Sequence, residues 1–493
     1  MNQLTKQKNK VSTLVTYGCF ILGAIGAITL SGCEKFLEMP LKDKIPQEIV
    51  FNDEQGFIDA LIGVYLGMDK PETVTSKGLY TNTLSLGALS VMANNYSNAT
   101  VSTMNNSLYA NFAKYDYEQA GVKQEIANMW GVLYNNVANL NNLLEHIDAK
   151  EHVFSRDHFA RIKGEALALR ALFHFDLARL YGKSPVIGMN EKAIPYVTKF
   201  GSASVPFVTL NTALESCISD LNDAERLLAK ADTSSLHEGS LDLFAGYTQN
   251  HMNYWATKAL LARVYLYKGD YNNAWKNAAE VIGSKKFPLS TSNVAISTNT
   301  TRDRLFSKEL VFALYSTNVT SINEGMFNLT SGVSLQFTAP NKNALYGNPS
   351  TDYRLSWFDR NIVNTEVPSK YFQNSGLPYI MQNIVPLIRI SEMYYIAAEC
   401  ANNNGDVIMA LGYLNDVRNA RGLSSLTSTD VPDAVALSLE ITKEYKKEFF
   451  QEGQTFFYYK RLNKDLKAET GTTVIVPADV YVFPIPDREI EYN

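Results

Sequence analysis

Apolar residues recur at helical spacing through most of the chain beyond residue 53. From Asp53 to Met68, the side chains of Phe57, Leu61, Val64, Tyr65 and Met68 share one face, which predicts an amphipathic helix. Val122 to Ile147 carries Trp130, Leu133, Tyr134, Val137, Leu140, Leu144 and Ile147 on one side. Phe159 to Tyr181 carries Ile162, Ala166, Leu169, Leu172, Phe173, Leu177 and Leu180, with Gly182 placed to close it as a C′ glycine. Thr209 to Ala229 and Leu437 to Gly453 read as further helices. Two stretches break the period. Residues 70–117 are rich in Asn, Ser, Thr and Tyr, and residues 287–382 are long, polar and punctuated by Asn, Ser, Gly and Pro. Both read as irregular loop inserts, and non-periodic regions of that size inside a compact domain commonly carry function.

Two helical pairs share one turn chemistry. Asn253 to Lys268 and Tyr271 to Ile282 meet across Gly269-Asp270; Ile388 to Ala401 and Val407 to Arg421 meet across Gly405-Asp406. In the first, Ala259, Ala262, Tyr265, Leu266, Gly269, Tyr271 and Ala274 resemble a tetratricopeptide unit, in which small residues let two helices approach and glycine makes the turn. In the second, Ala397, Ala398, Ala410, Leu411 and Leu414 are the small or apolar contacts. The expected fold class is all-α: a scaffold of helical hairpins carrying two large inserts, forming a single domain over residues 53–493.

The N-terminus changes the picture of where this domain works. Lys6, Lys8 and Lys10 precede an apolar stretch from Val11 to Leu30, with no acid among the first 32 residues. The stretch ends in Leu30-Ser31-Gly32-Cys33, small residues before a cysteine as in a bacterial lipobox, so residues 1–32 read as a signal peptide and Cys33 as the acylated first residue of the mature chain. Residues 33–52, with two prolines, read as an extended tether. Losing three lysines with the leader takes the formal charge from -5 to -8, which disfavours nucleic acid as a partner. The two remaining cysteines, Cys217 and Cys400, lie on helical patterns and read as buried small side chains.

Catalytic signatures are missing from the sequence: there is no HExxH, G-x-S-x-G, GxGxxG or CxxC. Gly182-Lys183-Ser184 mimics the end of a phosphate loop, but Leu177 stands where the first glycine belongs. The six histidines are scattered without ligand spacing, and His174 inside an apolar helix reads as a core residue. Glu448 and Glu452, one helical turn apart among lysines, read as a solvated face. No enzyme activity, cofactor or metal site is expected.

Several segments, in order along almost the whole mature chain, resemble the SusD/RagB family of outer-membrane nutrient-binding lipoproteins. The best is Gly164-Glu165-Ala166-Leu167-Ala168-Leu169-Arg170-Ala171-Leu172-Phe173-His174-Phe175-Asp176-Leu177-Ala178-Arg179-Leu180-Tyr181-Gly182 with Pro185. Others are Trp130 with Leu133, Tyr134, Asn139 and Asn141; Trp255 to Tyr267 with Gly269-Asp270; Ile388 to Glu399; Asn415 to Gly422; Glu448-Phe449-Phe450 with Glu452-Gly453; and Phe483-Pro484-Ile485-Pro486. The resemblance implies about four tetratricopeptide-like hairpins, an irregular ligand-binding half, and a lipid-anchored position at the cell outer membrane, facing the exterior. It also implies delivery of a nutrient to a TonB-dependent, SusC-like transporter. The nutrient is expected to be an oligosaccharide; a peptide ligand and a scaffold that binds no ligand are the alternatives.

Glycans are held by aromatic faces stacked on sugar rings, with amides and charged groups on the hydroxyls. The chain is rich in rings, with 28 Tyr and 24 Phe. Those at helical spacing, including Trp130, Trp255 and Trp275, read as core, and Arg170 and Arg179 as intra-scaffold ion pairs. Candidate ligand contacts therefore come from the inserts: Asn94, Asn95 and Tyr96 as two amides beside a ring; Tyr80, Tyr346, Tyr353 and Trp357 as platforms; and Asp352, Arg354 and Asp359 as charged partners.

Overall fold

The computed structural model describes residues 50–69, 78–96, 107–230, 242, 244–291, 302–327, 339–347, 351–360, 364, 366–372, 376–378, 381–467, 473–474 and 478–492. The leader, the tether and Cys33 lie outside these. Asp53–Asn493 forms one compact unit, and Met1–Asn52 groups separately.

Ten helices carry the scaffold: α1 (Glu54–Gly67), α2 (Ala120–Ile147), α3 (His158–Tyr181), α4 (Leu210–Leu228), α5 (Tyr254–Lys268), α6 (Tyr271–Gly283), α7 (Ile390–Asn403), α8 (Val407–Ala420), α9 (Ala434–Glu448) and α10 (Gln454–Leu462). From α1 to α8 each packs on the next, and α9 closes on α7 and α8, giving a stack of tetratricopeptide-like hairpins. Local chemistry sets the starts. Asp53, Thr209, Asn253, Asp270, Asp406 and Asp433 each cap a helix by accepting a backbone N–H from the first turn. Gly269 (φ 86°) and Gly405 (φ 84°) adopt the left-handed conformation between paired helices, which explains why both turns read Gly-Asp.

Helix α3 is the axis of the stack. It is buried almost all round, flanked by α2 and α4, so its polar residues must be satisfied inside. Arg170 donates Nε and Nη2 to Asp220 at 2.8 and 2.7 Å and Nη1 to Asn141 at 3.0 Å. His174 Nδ1 donates to the Arg170 carbonyl at 2.9 Å, and its Nε2 accepts from Val197 N at 2.9 Å. Burial drives its pKa down to about 3, so His174 is a neutral core imidazole, as its apolar setting predicts. Arg179 pairs with Asp176 and lies 3.8 Å from the Phe457 ring centroid. Cys217 and Cys400 are free buried thiols. Trp130 is buried, whereas Trp255 and Trp275 are only half-buried.

Gly182 corrects the expectation of a left-handed cap: its φ is -78°. Its lack of a side chain matters for packing instead, because a Cβ would press on the Ala178 carbonyl oxygen at 2.7 Å.

The inserts are more structured than their composition suggests. Leu79–Leu86 is a π-helix with all eight residues buried, followed by short helices at Ala88–Met92 and Ser107–Ala113. Its Ser, Thr and Asn side chains bond inward: Ser85 Oγ to the Thr81 carbonyl (2.6 Å), Thr83 Oγ1 to Glu125 (2.6 Å), and Asn82 Oδ1 accepting from Tyr109 (3.0 Å). Strands β1 (Lys192–Pro195) and β2 (Phe207–Thr209) form a small hairpin between α3 and α4. In the second insert β3 (Leu310–Tyr315) pairs antiparallel with β6 (Ile384–Arg389), placing Tyr315 opposite Ile384. Strands β4 (Phe358–Arg360) and β5 (Glu366–Pro368) pair with each other. The helix expected over 437–453 stops at Glu448; residues 449–453 turn, with Gln451 and Gly453 at positive φ, and α10 follows.

Candidate ligand-binding site

The residues chosen from the sequence as ligand contacts are built into the base of the inserts. Tyr80 Oη donates to Asp176 on α3 at 2.5 Å. Tyr96 Oη donates to the Leu86 carbonyl at 2.8 Å, and its ring packs against Phe327 and Phe450 at 5.4 and 6.1 Å. Asn94 and Asn95 are buried beside it. Tyr346 Oη donates to the Lys447 carbonyl at 3.1 Å, and Trp357 Nε1 donates to the Arg304 carbonyl at 2.7 Å. Tyr353 is half-buried, its ring lying over Gly422, and Asp359 pairs with Arg304 at 2.8 Å. The expectation of exposed rings and amides is thus corrected for Tyr80, Asn94, Asn95, Tyr96, Tyr346 and Trp357. Tyr80 and Tyr346 tie the inserts to α3 and α9, and the other four side chains are buried.

Asp352 and Arg354 belong to a buried ionic lattice. Arg354 donates two bonds to Asp352 (2.9 and 2.7 Å), one to Glu444 (2.6 Å) and one to Glu448 (3.1 Å). Glu448 also accepts from Arg389 (2.5 Å) and Arg421 (2.6 Å), and Arg421 continues to Glu309 at 2.8 Å. Arg389 reaches Glu452 at 2.7 Å, and Glu452 receives Lys370 at 2.5 Å. Glu448 and Glu452 are therefore buried, not on a solvated face. Burial alone would raise the Glu448 pKa, but Arg421, Arg389 and Arg354 hold it well below the usual carboxylate range. Burial likewise opposes ionisation of Glu444, and Arg354 and Lys447 bring it down to about 2. Burial lowers Lys370 to about 8 despite Glu452. The lattice ties Glu309, Asp352, Arg354, Lys370 and Arg389 of β6 to α9 and to Arg421, the residue after α8. It is a frame, and its saturated partners leave no polar atom for a ligand.

In the second insert, an exposed ring lies at the end of the β3–β6 ladder. Tyr315 is 38% exposed, the one markedly exposed aromatic in the second insert among the described residues. Asn383 sits beside it in the left-handed conformation (φ 57°), its amide 3.5 Å from the Tyr315 hydroxyl. Ser316 N donates to the Asn383 carbonyl at 2.8 Å. Thr317 is exposed and Asn318 half-buried. Behind this turn, Asp69 accepts from the Asn318 amide at 3.2 Å and from the Ser316 hydroxyl. Burial raises the Asp69 pKa, and the bonds from Ser316, Thr81 and Asn318 partly offset that. An open aromatic face flanked by amides and hydroxyls is suited to a sugar ring. The sequence signal for it is an apolar strand, Val311 to Leu314, ending in a tyrosine and then Ser-Thr-Asn.

Two small pockets, about 30 and 20 Å³, are each lined by Arg179, Arg263, Gln454 and Phe457 among others. Each has room for about one water, far too little for a sugar. Among the described residues no group of three or more His, Cys, Asp or Glu is placed to hold a metal ion, and no helix is long and apolar enough to cross a membrane.

Residues 66–266 match the family model described as starch-binding associating with outer membrane, and residues 246–493, half of the chain, match the SusD family model. The chain belongs to the SusD family. Among SusD relatives, SusD-like protein P38 of Formosa agariphila is 23% identical over 384 residues, 67% of this chain and 72% of that protein. A SusD-like carbohydrate binding protein from Bacteroides vulgatus superposes with a TM-score of 0.72 at 17% identity, covering 90% of this chain and 96% of that one. A laminarin binding SusD-like protein superposes with a TM-score of 0.63 at 18% identity, covering 89% and 98%. At these identities the superpositions establish the SusD fold, an all-α hairpin scaffold.

Proposed function

We propose that this SusD-family protein is a non-catalytic receptor that captures an oligosaccharide at the outer membrane and passes it to a SusC-like, TonB-dependent transporter. The observation that carries the reading is the Tyr315 face: an exposed ring with the Asn383 amide beside it, at the end of the β3–β6 ladder. Family membership supports the reading, as does the likeness in fold to a laminarin binding protein. Tyr315, Thr317 and Asn318 are the proposed contacts. Tyr80, Asn94, Asn95, Tyr96, Tyr346, Tyr353, Trp357, Asp352 and Arg354 are assigned a structural role in the inserts. Anchoring is proposed through acylated Cys33, with the domain facing the exterior; Cys33→Ser is expected to release the protein from the membrane fraction.

The test is calorimetry of the mature protein against laminarin- and starch-derived oligosaccharides and a set of oligopeptides. Heat with one glycan class, lost in Tyr315→Ala, supports the proposal. Binding confined to peptides, or glycan binding indifferent to Tyr315, overturns it.

A further inference from the structure

The geometry points to Asp69 as a positioning residue that sets the Tyr315 turn in its ligand-ready conformation without itself reaching the ligand. This rests on the Tyr315 face being the ligand site. Asp69 is only 6% exposed, against 38% for Tyr315, so it supports the face from behind. It lies one residue past the Met68 C-cap of α1, where its N–H donates to the Leu66 carbonyl at 3.2 Å. Its Oδ2 accepts from the Ser316 hydroxyl and the Asn318 amide. The Ser316 hydroxyl in turn accepts the Asn318 N–H at 3.2 Å, and Ser316 N donates to Asn383. One carboxylate oxygen therefore fixes both ends of the three-residue turn after Tyr315, and through Ser316 it fixes the residue carrying the neighbouring amide.

Two further features single out the carboxylate. Gly78 (φ 87°) lies so close to it that a Cβ there would collide with Asp69 Oδ1. Its donors in the turn are a neutral hydroxyl and a neutral amide. Burying a carboxylate against neutral donors is expensive, but such charge-assisted bonds are about twice as strong as neutral ones and are sharply directional. The arrangement gives up stability for a turn held in one geometry, which is how a binding surface is preorganised.

The experiment uses Asp69→Ala and Asp69→Asn in the mature chain, with Tyr315→Ala as reference. Hydrogen exchange over residues 315–319 is expected to rise about tenfold in Asp69→Ala while α3 and α5 keep wild-type protection. Asp69→Asn, which keeps an oxygen that can accept from Ser316 and Asn318 but loses the charge, is expected to restore slow exchange in part. Laminarin-derived oligosaccharides are expected to bind Asp69→Ala about tenfold more weakly, with little further loss in the double variant with Tyr315→Ala. Unchanged exchange at 315–319 in Asp69→Ala overturns the inference. So does full oligosaccharide affinity in Asp69→Ala under conditions where Tyr315→Ala is impaired. If the wild type binds no oligosaccharide yet the exchange pattern appears, the role of Asp69 in fixing the turn stands and the glycan reading fails.

Discussion

Replacing Glu448 by glutamine probes the ionic frame at its centre. The carboxylate accepts from Arg354, Arg389 and Arg421, all fully buried. Glutamine keeps the volume but removes the charge and turns an N–H₂ toward guanidinium groups. Breaking a buried ion pair by removing one partner costs about 3–5 kcal/mol, because the remaining charges stay buried and uncompensated. For a unit of about 440 residues, an unfolding entropy of about 2.1 cal/mol/K per residue makes about 0.9 kcal/mol/K, so the expected fall in Tm is about 3–5 °C. The pH dependence has a definite sign. Glu448 is depressed in the folded state, so its contribution is complete above its unfolded value, about 4.3, and is lost as pH falls toward its folded one. The gap between wild type and Glu448→Gln should therefore be constant from pH 7 down to about 5 and narrow below about 4. Calorimetric melting and urea unfolding measure both. Glu440→Gln, in the exposed pair with Lys443 at 3.4 Å, is the control and should shift stability by less than about 1 kcal/mol. A Glu448→Gln protein within about 1 kcal/mol of wild type at pH 7 would show that the three guanidinium groups do not depend on this carboxylate.

Other perturbations test separate parts of the fold. Gly453→Ala places a Cβ against the Leu84 backbone carbonyl at a residue with φ 70°, and urea unfolding should show a loss of about 2 kcal/mol or more. Arg170→Ala strands buried Asp220 with the Tyr196 hydroxyl at 2.7 Å and should lower stability by about 3–5 kcal/mol. Adding Asp220→Ala should recover part of that loss in a double-mutant cycle.

What the sequence disclosed and what it hid follow one physical division. The α5–α6 and α7–α8 pairs were legible because Gly269-Asp270 and Gly405-Asp406 carry their own turn and cap, and short-range chemistry is written in adjacent residues. The core role of His174 was legible from its apolar neighbours. The fate of Glu448 was not, because its partners Arg354, Arg389 and Arg421 come from distant segments, and an i, i+4 pair of acids among lysines looks the same whether it faces water or a guanidinium lattice. The same holds for the insert aromatics. Tyr80 and Tyr96 sit in polar, aperiodic sequence that reads as surface, yet their hydroxyls meet Asp176 and the Leu86 carbonyl. Tyr315 is the converse case: it ends an apolar run, which hides that this last residue emerges from the β3–β6 ladder.

The central claim is tested most directly by titrating laminarin-derived oligosaccharides into the wild type and into Tyr315→Ala. The wild type should bind saturably, and the variant should lose at least tenfold in affinity, about 1.4 kcal/mol, in the range of one aromatic stacking contact. Equal affinity in the two proteins, or saturable binding of peptides with none of any oligosaccharide, would contradict it.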